Sequence, residues 1–219
     1  MNAYVADFSA RKSVRRETRV EAYIRSQEFD RPTLVIDVDR VEDQYNALKA
    51  GLGRARIHYA VKANPQREII ERLVDLGSGF DAASRAEVEL CLSLGARPEN
   101  ISFGNTVKKV RDIEFAFHAG VTLFAADAEE ELEKIAEYAP GSQVYIRLIV
   151  DASEADWPLS RKFGCAREKA ISLLDMSVRL GLKPVGFSFH VGSQTKRAEM
   201  WTTTLDQIAD VWKAAQDAG

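Results

Sequence analysis

The chain has 219 residues, which is long enough for one domain with a sizeable hydrophobic core. Apolar residues make up 46% and charged residues 29% of the sequence, proportions that are ordinary for a globular protein. The 30 basic and 33 acidic residues leave a net charge of -3, so the sequence lacks the basic excess that is typical of nucleic-acid-binding proteins.

Residues 1–30 are predicted to form an N-terminal helical segment, and residues 31–219 are predicted to form one further domain. The N-terminal segment has no apolar core of the kind found in secretory signals, and its acidic residues argue against a transit peptide. No run approaches the roughly 18 apolar residues of a membrane span. The two cysteines, Cys91 and Cys165, are too few for a disulfide framework. We therefore predict a cytoplasmic protein that does not associate with membranes.

Beyond residue 30, strand-like apolar runs alternate with helical patterns. A first strand is predicted at residues 33–38, "TLVIDV". Further strands are predicted to begin near residues 56, 79, 101, 121, 143 and 184, and each is followed by a segment of helical character. Near-continuous apolar strands that alternate with helices are typical of a parallel sheet covered by helices.

Two architectures fit this alternation, an open doubly wound sheet and a (β/α)8 barrel of the TIM type. No G-x-G-x-x-G motif opens a helix after the first strand, which weakens the case for a dinucleotide-binding sheet. We therefore predict the barrel, which needs eight strands and typically about 250 residues. About six barrel strands are predicted before Gly219, and an unclosed barrel exposes two sheet edges. We expect a fragment, or a chain that another polypeptide completes.

The active site of such a barrel lies at the carboxyl ends of its strands. Polar residues at the predicted strand ends include Lys62, Asp81, Arg147 and His190. Arg147 lies within the apolar run "VYIRLIV", so we expect Asp81 or a bound anion to pair with it. We expect Lys62 to be desolvated, because burial favours the neutral amine and makes it nucleophilic toward an aldehyde. Pyridoxal phosphate (PLP) is a cofactor that supplies such an aldehyde.

Two other kinds of site are poorly supported by the sequence. The histidines His58, His118 and His190 fall on different elements without the spacing of a metal site, so we predict no metal. No G-x-S-x-G motif is present, which argues against a serine hydrolase.

Five motifs in chain order carry a resemblance to a known family. They are "YAVKANP", "GSGFDAASRAEVEL", "ISFGNTVK", "RKFG" and "FSFHVGSQ". In this order they resemble the eukaryotic-type ornithine/lysine decarboxylases, within the fold-type III, alanine-racemase-like PLP enzymes. The resemblance covers about two thirds of the chain. It implies the PLP-binding barrel of that family, without the C-terminal β-domain.

The resemblance also implies roles for individual residues. Lys62 would bind PLP covalently and then act in proton transfer, and His190 would stack on the face of the cofactor ring. These two are the catalytic candidates. Asp81 and Glu87 would belong to the polar network around Lys62 and the cofactor. Arg147 would lie near the substituents of the cofactor ring.

Two further residues complete the set that the resemblance implies. Ser193 would contact the cofactor phosphate, and Lys162 would lie at the subunit interface of a homodimer with shared active sites. In the family, a glycine-rich phosphate loop, a glutamate for the pyridine nitrogen and the substrate-binding residues come after the part that this chain matches. We therefore expect the 219 residues alone to be inactive.

The function that the resemblance implies is decarboxylation of L-ornithine, L-lysine or both to putrescine or cadaverine, in polyamine biosynthesis. Diaminopimelate decarboxylase is an alternative. Another is a non-catalytic PLP-binding or regulatory barrel, such as a homologue of the antizyme inhibitors. A racemase is less favoured, because the motifs after Lys62 are nearer to those of the decarboxylases.

Overall fold

The computed structural model describes residues 18–150, 162–192 and 199–217. Within these ranges the chain forms one six-stranded sheet accompanied by α-helices. The strands are β1 (His58–Ala60), β2 (Gly79–Ala82), β3 (Ile101–Phe103), β4 (Leu123–Ala126), β5 (Gln143–Arg147) and β6 (Lys183–Ser188). The helices are α1 (Arg19–Ser26), α2 (Val38–Leu52), α3 (Arg67–Asp75), α4 (Arg85–Ser93), α5 (Val110–His118), α6 (Glu129–Tyr138), α7 (Arg167–Arg179) and α8 (Glu199–Asp217).

The sheet follows the order of the chain. Each strand pairs in parallel with the next one, from β1 to β6. A helix follows every strand, as expected for parallel strands, which need a crossover connection. The prediction of six barrel-type strands in an α/β fold is confirmed.

The hydrophobic core lies between the sheet and its helices. Alternate strand residues point to opposite faces, and one face carries side chains that are fully or almost fully buried, including Phe80, Phe103, Phe124 and Ile146. The rings of Phe103 and Phe124 stack with their centroids 6.2 Å apart. Removal of this apolar surface from water is the main stabilising contribution to the fold.

The opposite face of the sheet, which we call the inner face, is polar. Asp81 is the register partner of Ser102, and Arg147 is the register partner of Ser188. Tyr145 lies two residues before Arg147 on the same strand, so both side chains point to the same side of the sheet. The strands therefore separate an apolar packing surface from a surface that carries polar side chains.

Glycines end several helices where the sequence predicts that they should. Gly95 follows α4 with φ 92°, and Gly120 follows α5 with φ 89°. Glycine adopts this left-handed conformation without the steric cost that a β-carbon imposes. These turns return the chain to the start of the next strand.

The strand predicted at residues 33–38 is wrong. Within the described part of the chain, residues 33–37 pair with no strand, and helix α2 begins at Val38. The Asp37 side chain accepts a hydrogen bond from the Asp39 amide at 3.2 Å, which is the arrangement of a helix N-cap. Leu34 remains 72% exposed, so the apolar pattern of this run is not used for pairing within the described residues.

The N-terminal segment predicted at residues 1–30 contains a helix in its described part. Helix α1 spans Arg19–Ser26 and begins with a capping box between Thr18 and Glu21. Residues before 18 lie outside the described ranges. None of the described helices combines the length and the apolar composition that crossing a bilayer requires.

Candidate active site

Lys62 lies directly after β1, at the carboxyl end of the sheet. It occupies a 3-10 turn, Val61–Ala63, rather than the strand itself. Val61 takes the buried position in this turn, and the Lys62 side chain is exposed. The prediction of a buried, desolvated lysine is therefore wrong for this structure, because the turn carries the side chain past the end of the strand.

Asp81 lies on β2 in contact with the neighbouring strand. A β-carbon at Gly104 would be only 1.9 Å from Asp81 Oδ1, so the carboxylate lies directly against the glycine backbone. Burial raises the pKa of Asp81, and the nearby charges of Lys62, His58 and Arg147 act in the opposite direction. Asp81 is therefore within electrostatic reach of all three cationic side chains.

Glu87 lies next to this site, but its carboxylate has a structural role. Glu87 Oε2 accepts a hydrogen bond from the Ala83 amide at 2.5 Å, and the Glu87 amide donates to Ser84 Oγ at 3.3 Å. Both bonds satisfy backbone and side-chain groups where α4 begins. The negative charge of Glu87 still contributes to raising the pKa of Asp81.

Arg147 is held by an aromatic ring rather than by a carboxylate. Its guanidinium lies over the ring of Phe163, 5.4 Å from the centroid. Among the described residues, no carboxylate lies within ion-pair distance of Arg147, so the expected pairing with Asp81 is not found. The ring can take the place of a carboxylate because its π-face attracts the guanidinium without burying a second charge.

The turn that contains Phe163 is held in place through the backbone of the next residue, Gly164. The Gly164 amide donates to Asp127 Oδ2 at 2.7 Å, and a β-carbon at Gly164 would be 2.8 Å from the carbonyl carbon of Leu148. Gly164 also has φ 103°, in the left-handed region. The glycine of the "RKFG" motif is thus explained by the close approach of its backbone to Leu148.

His190 follows β6 and has a defined tautomer. Its Nδ1 accepts a hydrogen bond from the Gly192 amide at 2.9 Å, so the ring proton of the neutral form is on Nε2. Burial lowers the pKa of His190, and the positive charges of Arg147 and Lys62 lower it further. Both effects favour the neutral imidazole.

The structure thus brings together Lys62, Asp81, Arg147 and His190, as the sequence predicts. Lys162 is exposed, and its ammonium lies 5.1 Å from the centroid of the Phe163 ring. Ser193 lies outside the described residues. Within the described ranges, no group of three or more His, Cys, Asp or Glu side chains is arranged to hold a metal ion.

A pair of hydroxyl groups that lies on the inner face was not predicted from the sequence. Ser102 Oγ and the Tyr145 hydroxyl lie 2.6 Å apart, although β4 separates their strands. Burial raises the pKa of Tyr145, and so does the nearby Asp81 carboxylate. A polar residue at alternate positions of an apolar strand is the signal that could have indicated this pair.

A buried ion pair behind the strand ends was also missed. The Lys108 ammonium, whose side chain is 0% exposed, lies 2.9 Å from Glu131 Oε1. It also donates to the carbonyl oxygens of Asn105 at 2.8 Å and Ala125 at 2.6 Å. These contacts connect the loop after β3 with β4 and α6. Two of the acceptors are backbone carbonyls, which have no sequence signature.

Comparison with known proteins identifies the family to which this arrangement belongs. Residues 38–219 match the family described as "Pyridoxal-dependent decarboxylase, pyridoxal binding domain". A lysine/ornithine decarboxylase of Selenomonas ruminantium is 36% identical over 188 residues, which cover 86% of this chain and 48% of that protein. Antizyme inhibitor 2 of Xenopus laevis is 33% identical over 195 residues, covering 89% of this chain and 43% of that protein.

Solved structures of the family share the fold. The structure of a lysine/ornithine decarboxylase from Vibrio vulnificus complexed with cadaverine aligns with a TM-score of 0.82 at 29% identity. The alignment covers 92% of this chain and 54% of that chain. The chain therefore spans about half the length of the relatives that it matches.

Proposed function

This chain belongs to the pyridoxal-dependent decarboxylase family, and from that premise we propose that it is the PLP-binding part of an enzyme that decarboxylates L-ornithine, L-lysine or both. The observation that carries the proposal is the convergence of Lys62, Asp81, Arg147 and His190 on the inner face of a domain matched to pyridoxal binding. The products would be putrescine and cadaverine.

The side chains on the inner face fit the chemistry of PLP. Lys62 provides an accessible amine that can bind the aldehyde covalently. Arg147 provides a fixed cation for the electron-rich oxygens of the cofactor, and His190 provides a flat, neutral ring. Asp81 and Ser193 would complete the group that holds it, and Glu87, whose carboxylate fixes the start of α4, would contribute its charge to the polar network around them. When bound, PLP supplies an electron-accepting ring that stabilises the charge left at Cα after loss of carbon dioxide.

The residues of this chain would contribute mainly position and proton handling. The Lys62 ammonium and amine forms can give and take a proton beside the substrate Cα, because the side chain is unencumbered at the end of β1. The bond from the Gly192 amide to His190 Nδ1 restrains the imidazole ring. Phe163 holds the Arg147 guanidinium on the inner face. Pre-positioned groups of this kind lower the entropic part of the barrier.

The substrate class follows from the relatives. The named decarboxylases act on lysine and ornithine, and one was solved with cadaverine. A second candidate function is supported by the similarity to antizyme inhibitor 2, which is named as an inhibitor rather than as an enzyme. Retention of Lys62, Arg147 and His190 together favours the enzyme.

We propose in addition that the protein is a homodimer with shared active sites and that it is cytoplasmic. Lys162 is exposed at the tip of the turn that Asp127 holds, where a partner subunit's acid could reach it. Cys91 and Cys165 are both free and buried, which is consistent with a reducing compartment.

The test is release of labelled carbon dioxide by the full-length protein, supplied with PLP, from carboxyl-labelled ornithine, lysine and diaminopimelate. Ornithine or lysine should be turned over, and Lys62→Ala should lower the rate by about 10²- to 10⁴-fold. Lys49→Ala, which removes an exposed lysine on α2, is the control and should leave the rate unchanged. Turnover of diaminopimelate alone would contradict the proposed substrate, and no turnover at all would favour the regulatory alternative.

A further inference from the structure

Asp81 is a carboxylate that has no hydrogen-bond donor. Within the described ranges, no N–H or O–H group lies within hydrogen-bond distance of its oxygens, although the side chain is half-buried. A carboxylate removed from water is stabilised in its charged form by donated hydrogen bonds, and their absence is costly. The oxygens of Asp81 are not fully enclosed, so the carboxylate has acceptor capacity that no described protein group uses and that water can reach.

The Ser102–Tyr145 pair, in contrast, has a hydrogen-bond donor that is not used. Two hydroxyl groups carry two hydrogens, and the 2.6 Å contact between them uses one. Either group could be the donor in that contact, but one O–H hydrogen remains uncommitted in both arrangements. Among the described residues, neither oxygen has a second hydrogen-bond partner.

The uncommitted donor and the unsatisfied acceptor lie on the same face of the sheet. Ser102 is the register partner of Asp81 on the adjacent strand, and the Tyr145 hydroxyl is within hydrogen-bond distance of Ser102. The Asp81 carboxylate is close enough to raise the pKa of Tyr145. On the intervening strand β4, Tyr145 has the small residue Ala125 as its register partner.

We propose that Tyr145, oriented by Ser102, is a positioning residue for Asp81, with its phenol O–H directed to the Asp81 carboxylate through a bridging water or a small side-chain rotation. In this arrangement Ser102 Oγ–H donates to the Tyr145 oxygen, and the phenol, which is the more acidic hydroxyl, donates to the carboxylate. A water is the expected bridge when two polar groups face each other beyond direct contact.

A hydrogen bond from the Tyr145 hydroxyl would fix the position of the Asp81 carboxylate. The charges of Lys62 and Arg147 both act on Asp81, so the placement of its carboxylate affects the electrostatics of both cations. A neutral phenol can hold the carboxylate without adding a further charge to the inner face. Its raised pKa keeps it protonated, which is the form that donates. The inference rests on the proposed function only in taking Asp81 as part of the cofactor site.

Several groups besides the phenol act on Asp81. Lys62 and His58 face it from β1 and its following turn, Arg147 from β5, and Glu87 from α4. Three of these stabilise the carboxylate and Glu87 opposes it. A substitution at Tyr145 that keeps the aromatic ring leaves all four in place, so it isolates the hydroxyl.

The experiment is an infrared titration of the Asp81 carboxyl in the full-length protein, with and without PLP. The band of the protonated carboxyl is assigned by its loss in Asp81→Asn. In Tyr145→Phe the midpoint of this titration should rise by about 1 to 2 pH units, the effect of losing one hydrogen bond to a charged group. Tyr138→Phe, which removes a half-buried phenol on α6, is the matched control and should leave the midpoint unchanged.

An unchanged midpoint in Tyr145→Phe would overturn the proposal. If that variant does not fold, a fluorotyrosine at position 145 replaces it, because its more acidic hydroxyl is a stronger donor and should lower the midpoint. An unchanged or raised midpoint with the fluorotyrosine would then contradict the role of Tyr145. Because the titration measures Asp81 and not carbon dioxide release, it remains decisive even if the protein proves not to be a decarboxylase.

Discussion

Removal of the buried Lys108 ammonium should destabilise the protein strongly. Lys108→Met keeps most of the aliphatic volume but deletes the contacts with Asn105 O at 2.8 Å, Ala125 O at 2.6 Å and Glu131 Oε1 at 2.9 Å. Glu131 is not left alone, since its Oε2 remains 2.6 Å from the Lys134 ammonium. The variant therefore loses one half of a buried ion pair, and two carbonyl groups, one buried and one part-buried, lose their donor.

The size of the effect follows from these contacts. Removing one partner of a buried ion pair costs about 3–5 kcal/mol, and the remaining Lys134 contact places this case near the lower end, at ~3 kcal/mol. Domains have only about 5–15 kcal/mol of stability in total. Lys108→Met should therefore remove a large part of the free energy of unfolding.

The measurement is denaturant-induced unfolding of the native protein and of two lysine variants. Lys169→Met is the matched control, because Lys169 pairs with Glu129 at the surface, where the two side chains are 42% and 50% exposed. That substitution should cost no more than ~0.5 kcal/mol. Equal losses in the two variants, or a small loss in Lys108→Met with an unchanged denaturant dependence, would refute the reasoning from burial.

Three further predictions concern the pH dependence and the turn after β5. Burial lowers the pKa of Lys108 to about 8, against 10.5 for an ordinary lysine. Between these two pH values the unfolded state binds more protons than the native state, so the free energy of unfolding should rise with pH. Lys108→Met should lack this rise. The pKa of His190 is also lowered, so the free energy of unfolding should fall as the pH drops below 6.5. His190→Phe should lack this fall when the unfolding of both proteins is measured across that pH range. Asp127→Ala should cost about 1–2 kcal/mol through loss of the acceptor for the Gly164 amide, whereas Asp127→Asn should retain most of the stability.

The controls for these predictions use the same unfolding assay. The pH comparisons are differences between two proteins, so the titration of all other groups cancels. A parallel pH dependence for Lys108→Met and the native protein would contradict the first, and a parallel one for His190→Phe would contradict the second. Equal losses in Asp127→Ala and Asp127→Asn would show that the charge of Asp127, and not its hydrogen bond, holds the turn.

The strands, and the polar residues at their carboxyl ends, can be predicted from the sequence. Parallel strands buried on one face by helices leave near-continuous apolar runs, and glycines such as Gly95 end the helices between them. The chain order of the strands then places their carboxyl ends together. Lys62, Asp81 and Arg147 could therefore be assigned to one site before any side chain was located.

The predictions that are wrong concern features that depend on tertiary packing. The apolar run at residues 33–37 has the composition of a strand, but a strand needs a partner, and the Asp37 cap starts a helix instead. The exposure of Lys62 depends on a 3-10 turn whose sequence does not distinguish it from a strand end. The Ser102–Tyr145 contact crosses an intervening strand, so it depends on register and side-chain length rather than on local sequence.

The central claim, that Lys62 is the residue that binds PLP, can be tested by chemical trapping. The full-length protein is incubated with PLP, reduced with borohydride, digested and mapped by mass spectrometry. A covalent link between a lysine amine and the cofactor aldehyde becomes permanent on reduction. We therefore expect a phosphopyridoxyl group on the peptide that contains Lys62 and no such label in Lys62→Ala. Labelling at the buried Lys108 or at another lysine, with Lys62 unmodified, would contradict it.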